Sequence, residues 1–98
     1  MKSKSEMIFY PAVFIRDAAT ATVTVVFPDV PSAISQAATM DKAITNAAEV
    51  LGLMLYDEVT LPKASALGKV KQSYPTDQVR LIAVDLVQAA QAVTAPLG

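Results

Sequence analysis

A small α+β domain, with one main helix on a mixed β-sheet in the order β-β-β-α-β, is what the sequence predicts, on three observations. Residues 22–27 alternate, with Val23, Val25 and Phe27 on one side and Thr22 and Thr24 on the other, the period-two signature of a half-buried antiparallel strand. Ile44, Ala47, Ala48, Leu51, Met54 and Leu55 recur at i, i+3, i+4 spacing, which sets one apolar stripe along a helix. Residues 8–15 and 78–87 are rich in apolar, aromatic and β-branched residues without a helical period, as strands are. Helix and sheet therefore share one layer contact in one domain spanning 1–98, with its core at about 7–87.

The first strand, 8–15, contains Pro11, which has no N–H to give to a ladder. That places the strand at an edge, or turns position 11 outward. Residues 16–21 contain no Gly, so a loose loop is expected rather than a tight primed turn. After the second strand, Pro28-Asp29-Val30-Pro31-Ser32 must turn, because two prolines fix two φ angles and disfavour helix in the residues before them. Residues 33–38 form a third short strand, with Ile34 and Gln36 alternating.

Thr39 fits a helix N-cap, and Asp41 in the first turn suits the positive end of the helix dipole. Lys42 stands where a capping box would place Glu, so half of that motif is present. Glu49 falls on the solvent side. Gly52 inside the helix costs roughly 1 kcal/mol against Ala, which points to close packing there. Leu61-Pro62 ends the helix, and 63–77 reads as a loop with room for one helical turn. Leu81-Ile82-Ala83-Val84 is apolar on both faces, which predicts a central strand covered on each side. Residues 88–93 are weakly helical, stopped by Pro96.

Composition excludes several functions. An apolar fraction of 53% and mean hydropathy of +0.41 rule out a disordered chain. Alanine is the commonest apolar residue and Trp is absent, so the core is thin and the chain is inclined to oligomerise. With no Cys and no His, thiol nucleophiles and imidazole or thiolate metal sites are excluded. Net charge −1 and pI about 5.1 remove the electrostatic basis of tight nucleic-acid binding. The basic start and apolar run 7–15 mimic a secretory signal, but Glu6, Pro11 and Arg16-Asp17 break that pattern, and the run is too short to span a bilayer. A cytoplasmic protein without membrane contact is expected.

Three segments in order carry a resemblance: Phe9-Tyr10-Pro11-Ala12-Val13-Phe14, then Thr24-Val25-Val26-Phe27-Pro28-Asp29-Val30-Pro31, then the stretch 35–47 that begins Ser35-Gln36-Ala37-Ala38-Thr39. Together they resemble the HicB antitoxin family, whose N-terminal domain has a Tyr-Pro-Ala strand, a Phe-Pro-Asp-Leu-Pro turn and a following helix. The likeness covers about residues 8–60, and the strand at 79–87 also fits. It implies a partial, degenerate RNase H-like fold, a homodimer or tetramer, and binding to a small basic HicA-like toxin that cleaves mRNA and whose active site is occluded. The family's Gly-Cys after the second proline is Ser32-Ala33 here, and its glycines and acidic cluster between the first strands are replaced by residues 18–21. Family members usually carry a C-terminal DNA-binding module; after Val87 eleven residues remain, so autonomous DNA binding is not expected.

The candidate partner surface comprises the turn, with Phe27, Pro28, Asp29 and Pro31, and the acidic pair Asp57 and Glu58 at the helix end. Asp57 and Glu58 sit badly with the helix dipole but suit attraction to a basic protein. Asp29 reads first as a turn cap bonding its own backbone and only second as a contact, and Tyr10, Phe14 and Phe27 read as core. Lys63, Lys69 and Lys71 form the one basic cluster, a solvated loop. A nuclease site would need converging carboxylates. Only Asp29, Glu49 and Asp85 could be proposed, and Glu49 faces solvent, so no catalytic residue, metal ligand or cofactor is assigned. The competing reading is a stand-alone oligomeric structural or ligand-sensing domain of the same fold.

Overall fold

The computed structural model describes residues 7–94, with side chains as far as Gln91. Strands β1 (Met7–Arg16), β2 (Val23–Val26) and β3 (Ile34–Ala37) are followed by α1 (Met40–Leu55), α2 (Leu67–Ser73), β4 (Gln78–Asp85) and α3 (Leu86–Thr94). The sheet order is β3-β2-β1-β4. The α+β class is as the patterning predicts. All three pairings are antiparallel, where a mixed sheet was expected. The difference arises because α1 and α2 both lie between β3 and β4, so the link is not the single-helix crossover that sets strands parallel.

Strand β1 occupies the centre, not β4. It pairs with β4 along Met7↔Asp85 to Phe14↔Gln78, and with β2 only from Val13↔Val26 to Arg16↔Val23. Pro11 therefore has one ladder neighbour, opposite Leu81, which is how a strand without that N–H can run inside a sheet. Position 11 faces the outer side of the sheet, as Leu81 does, yet its ring is buried there. The reading of β4 as a covered central strand fails at Leu81, which is 48% exposed while Ile82 is 5% exposed. One face of β4 is only partly roofed.

Period two sorts the rest. Tyr10, Ala12 and Phe14 of β1 share the inner face with Val23, Val25 and Ile82, and with Phe27 they meet Ala43, Ala47, Leu51 and Leu55 of α1 and Leu86 of α3. On the outer face a smaller cluster, Val13, Val79 and Val70, gathers Val26, Leu67 and Tyr74 beneath α2. Past α2 that face leaves Met7, Phe9 and Leu81 exposed.

Of the predicted α1 stripe, Ala47, Leu51 and Leu55 are buried and Ile44, Ala48 and Met54 half-buried, the buried side being rotated toward Ala43 and Gly52. Thr39 caps it, its Oγ1 accepting from the Lys42 N–H at 3.2 Å. The helix ends at Leu55 with Tyr56 as its cap, earlier than Leu61-Pro62. The N–H groups of Tyr56 and Glu58 close the last turn on Gly52 and Leu55 carbonyls, so exit begins before the proline acts. The loop at 63–77 contains α2 as its one helical element. At 16–22 the loose connection folds on Asp17, whose Oδ1 accepts from the Ala19 N–H at 2.9 Å, and Ala21 adopts φ +61°. Strand β4 stops at Asp85, two residues short of the predicted end, because Asp85 Oδ1 accepts from the Val87 and Gln88 N–H groups and starts α3. Pro96 lies outside the described residues.

Candidate partner-binding surface

The turn after β2 is set by its own backbone. The Val30 N–H donates to the Phe27 carbonyl and the Ala33 N–H to the Val30 carbonyl, each at 2.9 Å. Val30 and Phe27 point inward; at 1% exposure Phe27 is a core anchor for the turn and offers no contact face of its own. Pro28 and Pro31 are exposed. Asp29 is half-buried, and its carboxylate accepts from both the Ser65 N–H and the Ser65 hydroxyl at 2.7 Å. The turn is thereby fastened to the segment that follows α1, across 36 positions of sequence. The cap role expected of Asp29 is realised at long range rather than on its own turn.

A second fastening lies beside it. The Tyr10 hydroxyl donates to the Pro62 carbonyl oxygen. Burial pushes the Tyr10 phenol above its ordinary value, and the Asp29 carboxylate adds to the shift by disfavouring a second negative charge.

Asp57 and Glu58 project into solvent directly after α1. No hydrogen bond among the described residues joins them to the 27–31 turn; they share with it only the segment that Asp29 and Tyr10 hold. Lys69 and Lys71 lie on α2 and Lys63 precedes it, so two of the three cations belong to the outer side of the sheet, away from α1.

The three carboxylates weighed for a nuclease site separate differently from expectation. Asp29 is committed to Ser65 and Asp85 to the start of α3. Glu49 is exposed, yet it lines the same groove as Asp85. This open groove of about 680 Å³ runs between α1, the end of β4 and α3, and its walls include Ala48, Gly52, Leu53, Val84 and Ala89. Sequence patterning missed it because α3 was not recognised as a packed helix. The available signal was Asp85 standing before the alanine- and glutamine-rich stretch, a plausible N-cap. Among the described residues no group of three or more Asp and Glu side chains could hold a metal ion, and no helix is long and apolar enough to cross a membrane.

A locked turn, an acidic helix exit, a partly bare apolar strand face and a groove lined by two carboxylates are the surface features of this small α+β domain. The particular family follows from comparison: residues 10–95 match the HicB_like antitoxin of bacterial toxin–antitoxin systems, and the chain belongs to that family. Its fold is similar to that of a chain in a toxin–antitoxin complex from Streptococcus pneumoniae, with TM-score 0.76 and 20% identity, over 95% of this chain and 78% of that one. It is also similar to the N-terminal domain of the Burkholderia pseudomallei antitoxin HicB, with TM-score 0.65 and 25% identity, covering 80% of this chain and 99% of that domain. Against the B. pseudomallei antitoxin HicB the TM-score is 0.69 at 25% identity, over 84% of this chain and 65% of that one. No curated protein sequence matches.

Proposed function

We propose that this chain neutralises a small, basic, HicA-like toxin that cleaves mRNA, by covering the toxin's active site in the cytoplasm. The observation that carries the reading is the family match over residues 10–95. The fold likeness to a chain of a toxin–antitoxin complex is consistent with it. On this reading the chain acts by binding and needs no catalytic group, metal or cofactor.

The physics of such a partner suits the surface. A protein that grips RNA carries cationic groups for phosphates, and an acidic antitoxin both steers toward those groups and competes with RNA for them. Asp57 and Glu58 supply exposed negative charge, and Pro28 and Pro31 present the rigid rim of the turn. Phe27 and Asp29 serve the same surface from behind, by holding the turn's shape. With net charge −1 the chain lacks the counterion-release term that tight operator binding on its own would require. Exposed Met7, Phe9 and Leu81 on the outer sheet face supply the surface for a homodimer or tetramer.

Co-expression tests the reading. The product of the adjoining reading frame should arrest growth alone, and this chain should restore growth and co-purify with it. Failure of both rescue and complex formation against a toxic neighbour overturns the antitoxin reading and favours the stand-alone oligomeric domain.

A further inference from the structure

We infer that the groove between α1, the end of β4 and α3 seats a cationic amphipathic segment of the toxin, an inference that rests on the antitoxin reading. The floor is apolar: Ala48 and Gly52 of α1, Val84 of β4 and Ala89 of α3 line it, with Leu53 standing at its side 51% exposed. An exposed leucine beside a concave apolar floor is surface that gains from being covered, at roughly 25 cal/mol per Å² removed from water.

The rim states the occupant's charge. Glu49 and Asp85 both line the groove, and among the described residues no Lys or Arg does. Both N–H groups that Asp85 caps bond the same oxygen, Oδ1, so Oδ2 makes no hydrogen bond among the described residues. Lys69 and Lys71 belong to α2, which packs on the other face of the sheet. The charged side chains among the groove's described lining residues are therefore both acidic, and an apolar segment carrying Lys or Arg satisfies floor and rim together. An anionic or purely apolar occupant would leave one of them unanswered. The groove is also firmly built: an added Cβ at Gly52 would stand 2.9 Å from the Ala89 Cβ, so α1 and α3 are in close contact at its base. A preformed seat loses less affinity to ordering on binding.

The experiment is titration calorimetry with a catalytically inactive form of the adjoining toxin, comparing the wild-type chain with Leu53→Arg and Glu49→Lys. Both positions are exposed, so melting temperature and circular dichroism should match wild type. Each variant should weaken binding by tenfold or more, Leu53→Met should bind as wild type, and raising salt should weaken the wild-type complex more than the Glu49→Lys complex. If wild type binds and both charge variants bind equally well, the groove is not the seat, while the antitoxin reading stands. If wild type does not bind, that reading falls and the inference with it. If Leu53→Arg instead splits a self-associated form in sedimentation and leaves toxin affinity unchanged, the occupant is a second copy and the inference is overturned.

Discussion

Asp29 and Ser65 are joined by two hydrogen bonds of 2.7 Å, one to the backbone N–H and one to the hydroxyl, and so the turn after β2 is tied to the segment leaving α1. A carboxylate accepting two such bonds in a half-buried setting is among the stronger polar contacts available, at about 1.5–3 kcal/mol for a charged hydrogen bond. Asp29→Ala removes both and leaves the Ser65 N–H unpaired. It should destabilise the domain by about 2 kcal/mol in denaturant titration, and Ser65→Ala, which keeps the N–H bond, by roughly half as much. Equal losses would show that the hydroxyl, not the backbone bond, dominates.

Tyr10 makes stability sensitive to alkali. Its folded-state pKa lies above the unfolded value of 10.0, because burial first, and the Asp29 carboxylate second, oppose its ionisation. The folded state then holds its proton more tightly than the unfolded one, so the contribution is complete below pH 10.0 and is lost as pH rises through the folded pKa. Denaturation midpoints should fall above that pH, and Tyr10→Phe should flatten the fall while lowering the neutral-pH midpoint through the lost bond to Pro62.

Gly52 is where α1 touches α3. A methyl group there would meet Ala89 Cβ at 2.9 Å and Val84 Cγ2 at 3.2 Å. Helix propensity alone would make Gly52→Ala stabilising by about 1 kcal/mol. Overpacking of this kind costs typically 1–3 kcal/mol, and it should win. The expected outcome is a lower melting temperature with faster amide exchange confined first to α3.

Ala21 adopts φ +61°, a left-handed conformation that costs a residue with a Cβ about 1–2 kcal/mol. Ala21→Gly relieves that strain but widens the unfolded ensemble, at about 0.4–1 kcal/mol. The balance favours glycine by roughly 0.5 kcal/mol, read as a melting-temperature gain of a few degrees. A loss would mean that the Asp17-centred hydrogen bonds hold the turn less firmly in the glycine variant.

Leu51 and Glu49 test the helix face. Leu51 is 0% exposed and Glu49 faces the groove rim in solvent. Leu51→Asp buries an unpaired charge and removes core contacts, a loss of roughly 3–5 kcal/mol that should unfold a marginal domain. Glu49→Ala should leave the melting temperature within about 0.5 kcal/mol of wild type.

The α+β class, the β2 faces, the α1 stripe, the Thr39 cap and the family likeness are legible in the sequence. The faces and the cap depend on neighbours within a few residues, and the class and likeness on the order of such local signals: alternation sorts Val23, Val25 and Phe27 inward, and i, i+3, i+4 spacing sorts Ala47, Leu51 and Leu55. Only the tertiary structure decided which strand is central, that Pro11 has a single ladder neighbour, that Asp29 reaches Ser65 and that Glu49 and Asp85 share a groove. An apolar run such as Leu81-Ile82-Ala83-Val84 reads the same on an edge strand with one bare face as on a covered one. Strand order, side-chain contacts across 36 positions and the surfaces left open are set by how the elements pack together, which no local period encodes.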